Sequence, residues 1–237
     1  MVDPSRRGGD TRRVAGGTIR VVVADDERMV RTALRVILDA EPDLEVVGEA
    51  TTGAGAIPVV RATRPDVVLM DVRMPEVDGI RATEQILASM AAPPRIVVVT
   101  TFENDSYVYD ALRAGASGFL LKRAAAEELI QAVRLVARSD SLLFPARLRE
   151  LAARHCPTPL PAPWAARLTE REAQVLRLMT TGLTNAEIAG RMGVGPATVK
   201  THVASVLAKT GTRDRTQAVI AAYASGFVRP VPPARPR

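Results

Sequence analysis

The 237 residues are enough for one or two domains, and a chain 47% hydrophobic but only 3% aromatic must build its cores from Val, Leu, Ile, Ala and Met. No apolar run approaches the roughly 18 residues of a membrane span, the polar N-terminus lacks the apolar core of a secretory signal, and a single cysteine, Cys156, excludes an intrachain disulfide and fits a reducing cytoplasm. The net charge of +6 is uneven: residues 18–139 carry 14 Lys/Arg against 18 Asp/Glu, whereas residues 164–229 carry 9 against 4, so the last third is the part suited to a polyanion.

Residues 1–17 are rich in Arg, Gly and Asp, have no periodicity, and read as a disordered leader. Ile19 to Ala24 is an apolar strand ending in Asp25, Asp26 and Glu27. A helix is expected from Met29 to Ala40, with Val30, Leu34, Ile37 and Leu38 at helical spacing. Glu41-Pro42-Asp43 breaks it, and Leu44 to Gly48 reads as an edge strand. The glycines at 53 and 55 read as a loop before a helix ending near Thr63; without a third glycine or a phosphate-loop lysine they make no nucleotide fingerprint. Val67 to Met70 is a buried strand that runs into Asp71, and Pro75, Asp78 and Gly79 turn the chain. A helix follows from Gly79 to Ala88, then a strand from Arg95 to Thr100. A polar loop, Thr101 to Ser106, leads to a helix through Ala114 that Gly115 closes, and a short strand from Gly118 to Leu121 precedes Lys122. A helix from Ala124 to Arg138 closes the segment. Five strands alternating with five helices predict a parallel, doubly wound sheet.

Taken alone, Asp71 has two readings: it caps the next helix, or it faces a ligand. In open α/β sheets ligands bind at the carboxyl edge of the strands. If the strands are parallel neighbours, Asp25, Asp26, Asp71, Thr100 and Lys122 all reach that edge. Clustered carboxylates need a counter-cation, and hard oxygen donors in a partly open cleft suit Mg²⁺. The set fits a carboxylate that accepts a phosphoryl group, with Mg²⁺ and Lys122 neutralising its charge and Thr100 bonding one of its oxygens.

Residues 19–139 resemble the receiver domain of bacterial two-component response regulators, in the acid pair, DVRMPEVDG, VVVTT and AGASGFLLK. The resemblance implies a CheY-like fold with Asp71 as phosphoacceptor. It also implies that Asp25, Asp26 and the backbone carbonyl of Arg73 complete a Mg²⁺ site. Thr100 and Phe119 take the family's switch hydroxyl and switch aromatic positions, and Lys122 its lysine. Arg123 departs from the Asp or Pro of many relatives.

Residues 140–166 differ in character. Leu142 to Ala153 reads as a short helix, and prolines at 157, 159, 161 and 163 read as an extended, semi-stiff linker. The receiver is therefore expected over 18–139, the helix and linker over 140–166, and a second domain over 167–228, followed by a disordered tail, 229–237. In the second domain Thr169 and Glu172 form a capping box. Thr184 caps a helix from Asn185 to Met192, Gly193 turns the chain, and Pro196 opens a helix running to about Lys209. Two short helices joined by a glycine turn make a helix-turn-helix. A fourth helix is expected from about Arg213 to Ser225.

This segment resembles the four-helix DNA-binding domain of the LuxR/NarL type, which together with the receiver identifies the chain as similar to the NarL/FixJ class of response regulators. Val199, Val203, Val206 and Leu207 form the buried stripe of the third helix. Lys200, Thr201, Ala204 and Ser205 lie opposite, toward the major groove. Ala204 stands where relatives carry Lys. Thr184, Lys209, Arg213 and Arg215 are phosphate-contact candidates, and His202 borders the core. By the resemblance, Ala218, Ala222 and Tyr223 of the fourth helix supply dimer contacts. The implied function is a cytoplasmic, non-enzymatic transcription regulator, phosphorylated by a sensor histidine kinase, binding promoter DNA and homodimerising, with no membrane partner. A phosphatase of the haloacid dehalogenase class needs a second Asp two positions after the nucleophile, where this chain has Arg73. A constitutive DNA-binding protein with a receiver used only for interaction is the other rival.

Overall fold

The computed structural model describes residues 17–101, 105–138, 141–155 and 162–229. Most of the leader, the tail beyond Arg229, Cys156 and three of the linker prolines (157, 159 and 161) lie outside the described residues. The chain alternates β1 (Ile19–Ala24), α1 (Arg28–Asp39), β2 (Leu44–Ala50), α2 (Gly53–Thr63), β3 (Val67–Asp71), α3 (Gly79–Ser89), β4 (Arg95–Thr100), α4 (Asp105–Arg113), β5 (Gly118–Leu121) and α5 (Ala126–Arg138). The sheet is parallel, in the order β2-β1-β3-β4-β5. The near-continuous apolar strands β1, β3 and β4 are central because both their faces are covered by helices. The sheet therefore divides the receiver core in two. Val21, Val23, Leu69, Val97 and Leu120 face α5, whereas Val22, Val68, Met70 and Ile96 face α2 and α3.

The start of α2 departs from expectation. The glycines at 53 and 55 lie inside α2, not in a loop before it, because Thr52 caps the helix by accepting the Gly55 N–H at 3.0 Å. In α1 the expected stripe of Leu34, Ile37 and Leu38 packs on the core, and Met29 outside it is 84% exposed.

The second half comprises α6 (Pro145–His155), α7 (Glu170–Thr180), α8 (Asn185–Met192), α9 (Pro196–Thr210) and α10 (Arg215–Ala224), with a short 3-10 turn, Ala165–Arg167, before α7. Helix α6 starts three residues later than expected, because Leu142 and Leu143 are buried in the receiver and Phe144 adopts φ +50° before the helix begins. Capping boxes at Thr169/Glu172 and Thr184/Glu187 start α7 and α8. Gly193, at φ +66°, makes the turn into α9. Val175, Leu176, Met179, Ile188, Val199, Val206 and Val219 form the core of this domain, and that core is continuous with Val108, Leu112, Leu148 and Leu151 of α4 and α6.

Candidate functional site

The acid pair and Asp71 meet because β1 and β3 are hydrogen-bonded parallel neighbours in register, with Ala24 opposite Met70. Each strand ends one residue before or at its acid, so the carboxylates emerge at one sheet edge. One ligand oxygen from each of Asp25, Asp26 and Asp71 lies within 4.8 Å of the others. Asp25 and Asp71 are buried and Asp26 is exposed. Lys122, just past β5, reaches across: its Nζ lies 2.8 Å from Asp25 Oδ2, 2.9 Å from Asp71 Oδ2 and 3.0 Å from Glu27 Oε1. Gly79 lets α3 come in beneath the site, since a Cβ there would stand 1.9 Å from the Asp71 carbonyl oxygen.

Burial pushes the Asp71 carboxyl above the usual range, and the Asp25 charge adds to this. The Lys122 ammonium and the Arg73 backbone N–H pull it back down without cancelling the rise. Burial also opposes the charge on Lys122, but the three carboxylates outweigh it and hold the lysine above its ordinary pKa. The pocket is thus a set of anionic oxygens tied to one cation. Its hard donors and their separation fit Mg²⁺ coordination. Thr100 is buried at the end of β4, one residue beyond Val99, which pairs with Asp71. Phe119 is buried on β5, its ring 5.7 Å from that of Phe144.

In the second half, α9 presents Lys200, Thr201 and Ala204 to solvent, with Ser205 half-buried beside them; Val199 and Val206 are buried on the opposite side. The recognition face is open.

Residues 21–134 match the family described as response regulator receiver domain, and residues 166–222 match bacterial regulatory proteins of the luxR family. An uncharacterized transcriptional regulatory protein, YxjL of Bacillus subtilis (strain 168), is 40% identical over 89% of this chain and 98% of its own length. The transcriptional regulatory protein LiaR of the same organism is 38% identical over 89% of this chain and 99% of its own. The chain belongs to the LuxR-family two-component response regulators. A solved LuxR-family regulator from Aurantimonas sp. SI85-9A1 superposes with a TM-score of 0.53 at 32% identity, over 58% of this chain and 98% of that one.

Several residues of the regulator expected at DNA or at a dimer interface are engaged elsewhere. Arg215 is only 3% exposed; its guanidinium bonds Asn185 Oδ1 at 3.0 Å and the Leu183 carbonyl, holding α10 to the start of α8. It packs here as a buried cation, away from the surface where a phosphate contact was expected. Arg213 is turned toward the receiver, donating to the carbonyls of Gly115 and Pro94. Lys209 Nζ is paired with Glu172 Oε2 at 2.6 Å, tying α9 to α7. The Thr184 hydroxyl is used in its capping box, bonding Glu187 on both sides. Ala218, Ala222 and Tyr223 are buried within the chain, and the Tyr223 hydroxyl donates to the Thr180 carbonyl at 2.9 Å. In this arrangement α10 offers these three dimer candidates to no second chain. Lys200 remains on the open face.

The contacts made around α10 were not legible in the sequence. Ser117 Oγ donates to Asp214 Oδ2, Thr216 Oγ1 to the Ser117 carbonyl, and Gln217 Nε2 to the carbonyls of Leu112 and Ala116, all at 2.7–2.8 Å. Arg95 lies 3.0 Å from Asp214 Oδ2. Side chains at 95, 117, 214, 216 and 217 meet one another and the backbone carbonyls of 112, 116 and 117, a set that carries no periodic signal. Glu27, third in an acidic run, is the one newly engaged pocket residue that the sequence pointed toward.

Proposed function

We propose that the regulator accepts a phosphoryl group on Asp71 from the phosphohistidine of a sensor kinase, and that this controls DNA binding. An Asp71 carboxylate oxygen forms the new O–P bond as the donor's N–P bond breaks, and the imidazole keeps the electron pair. Asp25, Asp26, Asp71 and the Arg73 carbonyl would hold Mg²⁺, which would neutralise phosphoryl charge. Lys122 then moves from pairing carboxylates to pairing a phosphoryl oxygen, and Thr100 bonds another. Phe119 follows Thr100, coupling the pocket to the face where α4 and α10 pack. The observation that carries this reading is Lys122 Nζ bonded at once to Asp25 and Asp71 in a pocket otherwise made of acids.

The docking of α10 supports a resting state that withholds the fourth helix rather than the recognition helix. Phosphorylation shifts the equilibrium toward a form with α10 released for homodimer contacts, and Lys200, Thr201 and Ser205 then read the major groove of promoter DNA. The chain acts as a cytoplasmic regulator, as its single cysteine and its family suit. The test is intact-protein mass after incubation with acetyl phosphate and Mg²⁺. One added phosphoryl group in the wild type, absent from Asp71→Asn and from EDTA controls, is the expected result. Equal incorporation in Asp71→Asn rejects the assignment.

A further inference from the structure

Arg31 lies one turn into α1, outside the pocket, yet its guanidinium reaches back to both metal-site acids. Its Nη1 donates to the backbone carbonyl of Asp25 at 2.8 Å and to that of Asp26 at 3.1 Å. Its Nε stands 3.5 Å from Glu49 Oε2 on β2, and the Arg31 side chain is only 12% exposed. Asp25 is fixed at further points, since its Oδ1 accepts the Glu27 N–H at 2.9 Å and its Oδ2 meets Lys122. Asp26 has an exposed carboxylate, so its backbone tie to Arg31 matters more.

We propose that Arg31 is a positioning residue for the divalent cation: it sets the backbone of the Asp25-Asp26 loop so that both carboxylates converge on the ion. The inference rests on the acidic-pocket reading given above. Two physical effects compete. A cation near the site repels Mg²⁺, whereas a fixed loop spares the ordering that binding otherwise requires. Glu49 offsets part of the Arg31 charge, its other oxygen being bonded by Arg35 Nε, and the two carbonyl hydrogen bonds make the tether the stronger effect. Partners that orient metal ligands without touching the ion typically change metal affinity by about 10–100-fold when removed. Lysine cannot replace Arg31, because a single ammonium cannot bond two carbonyls and Glu49 with the geometry of a planar fork.

The experiment is calorimetric Mg²⁺ titration of the full chain as wild type, Arg31→Lys and Arg31→Met, with thermal melts in EDTA and amide spectra of Asp26 and Glu27. Both variants are expected to bind Mg²⁺ on the order of tenfold more weakly, with shifted Asp26 and Glu27 amides and near-wild-type melts in EDTA. Wild-type affinity in Arg31→Lys, or tighter binding in Arg31→Met, marks a purely electrostatic role and overturns the proposal. Lowered melts with unchanged Mg²⁺ affinity mark a purely structural role and overturn it too. If Arg31→Met does not fold, Arg31→Lys alone decides. A folded wild type that takes up no Mg²⁺ overturns the pocket reading itself, and the inference with it; loss of the Arg31 effect alone leaves that reading standing.

Discussion

Ser117 Oγ donates a hydrogen bond to Asp214 Oδ2 at 2.8 Å, joining the start of β5 to the cap of α10 across 97 positions of sequence. The other oxygen of Asp214 accepts the Gln217 N–H at 2.9 Å and so starts α10. One carboxylate therefore folds the helix and docks it on the receiver. Ser117→Ala breaks the docking bond and spares the cap. Arg95 still faces Asp214 Oδ2 at 3.0 Å, so the loss is that of one ordinary hydrogen bond, about 0.5–1.5 kcal/mol. The expected result is faster amide exchange in the first turn of α10, with the rest of the helix-turn-helix domain unchanged. Unchanged exchange contradicts the clamp.

Lys200 and Arg215 separate a surface cation from a buried one. Lys200→Ala should weaken DNA binding and lower the slope of log affinity against log salt by about one, as loss of one phosphate neutralisation requires. Arg215→Ala should instead lower thermal stability, by about 1–3 kcal/mol, because the Leu183 carbonyl and Asn185 lose their donor. A salt-slope change in Arg215→Ala of the size seen for Lys200→Ala would restore Arg215 as a DNA contact.

The Glu172–Lys209 pair makes a pH prediction. The Lys209 ammonium, and after it the Thr169 N–H, hold the Glu172 carboxyl below its ordinary pKa. A depressed folded pKa gives stability that is present above the unfolded value and lost as pH falls through the folded one. The melting temperature of the helix-turn-helix domain should therefore drop on acidification below roughly pH 4.3, and Glu172→Gln should flatten that drop. Identical profiles for the two chains refute the assignment.

Asp71 gives the opposite sign. Burial, the largest cause, raises its pKa over the lowering by Lys122, so ionised Asp71 weakens the folded state at neutral pH. Asp71→Asn should melt above the wild type in EDTA. Mg²⁺ should reverse the order by stabilising the wild type, by about 2.7 kcal/mol at a hundredfold excess over its dissociation constant. A wild type indifferent to Mg²⁺ contradicts this.

The receiver could be read from sequence because its chemistry is written at strand ends. An apolar run that stops in Asp25 or Asp71 announces both the strand and the edge it reaches, and parallel order brings Lys122 to the same place. The helix-turn-helix was equally legible through Thr169, Thr184 and Gly193, whose capping and turn roles are local. The partners of the cations were not. Arg213 and Arg215 look in sequence like Lys200, but the Pro94 and Gly115 carbonyls of the receiver draw Arg213 inward, and Leu183 and Asn185 of its own domain draw Arg215 inward. Tyr223 likewise sits on an apolar stripe that suits a second chain as well as this one. The role of Arg31 has no sequence signal, because its targets are backbone carbonyls, which no residue pattern marks.

The central claim is that the state of Asp71 controls the DNA-binding half. Its most direct test is the fluorescence anisotropy of a labelled duplex, selected from random sequence by the wild-type chain, with and without acetyl phosphate and Mg²⁺. Tighter binding on phosphorylation of the wild type, and none in Asp71→Asn, is the predicted result. Equal affinity in all four conditions would contradict the account.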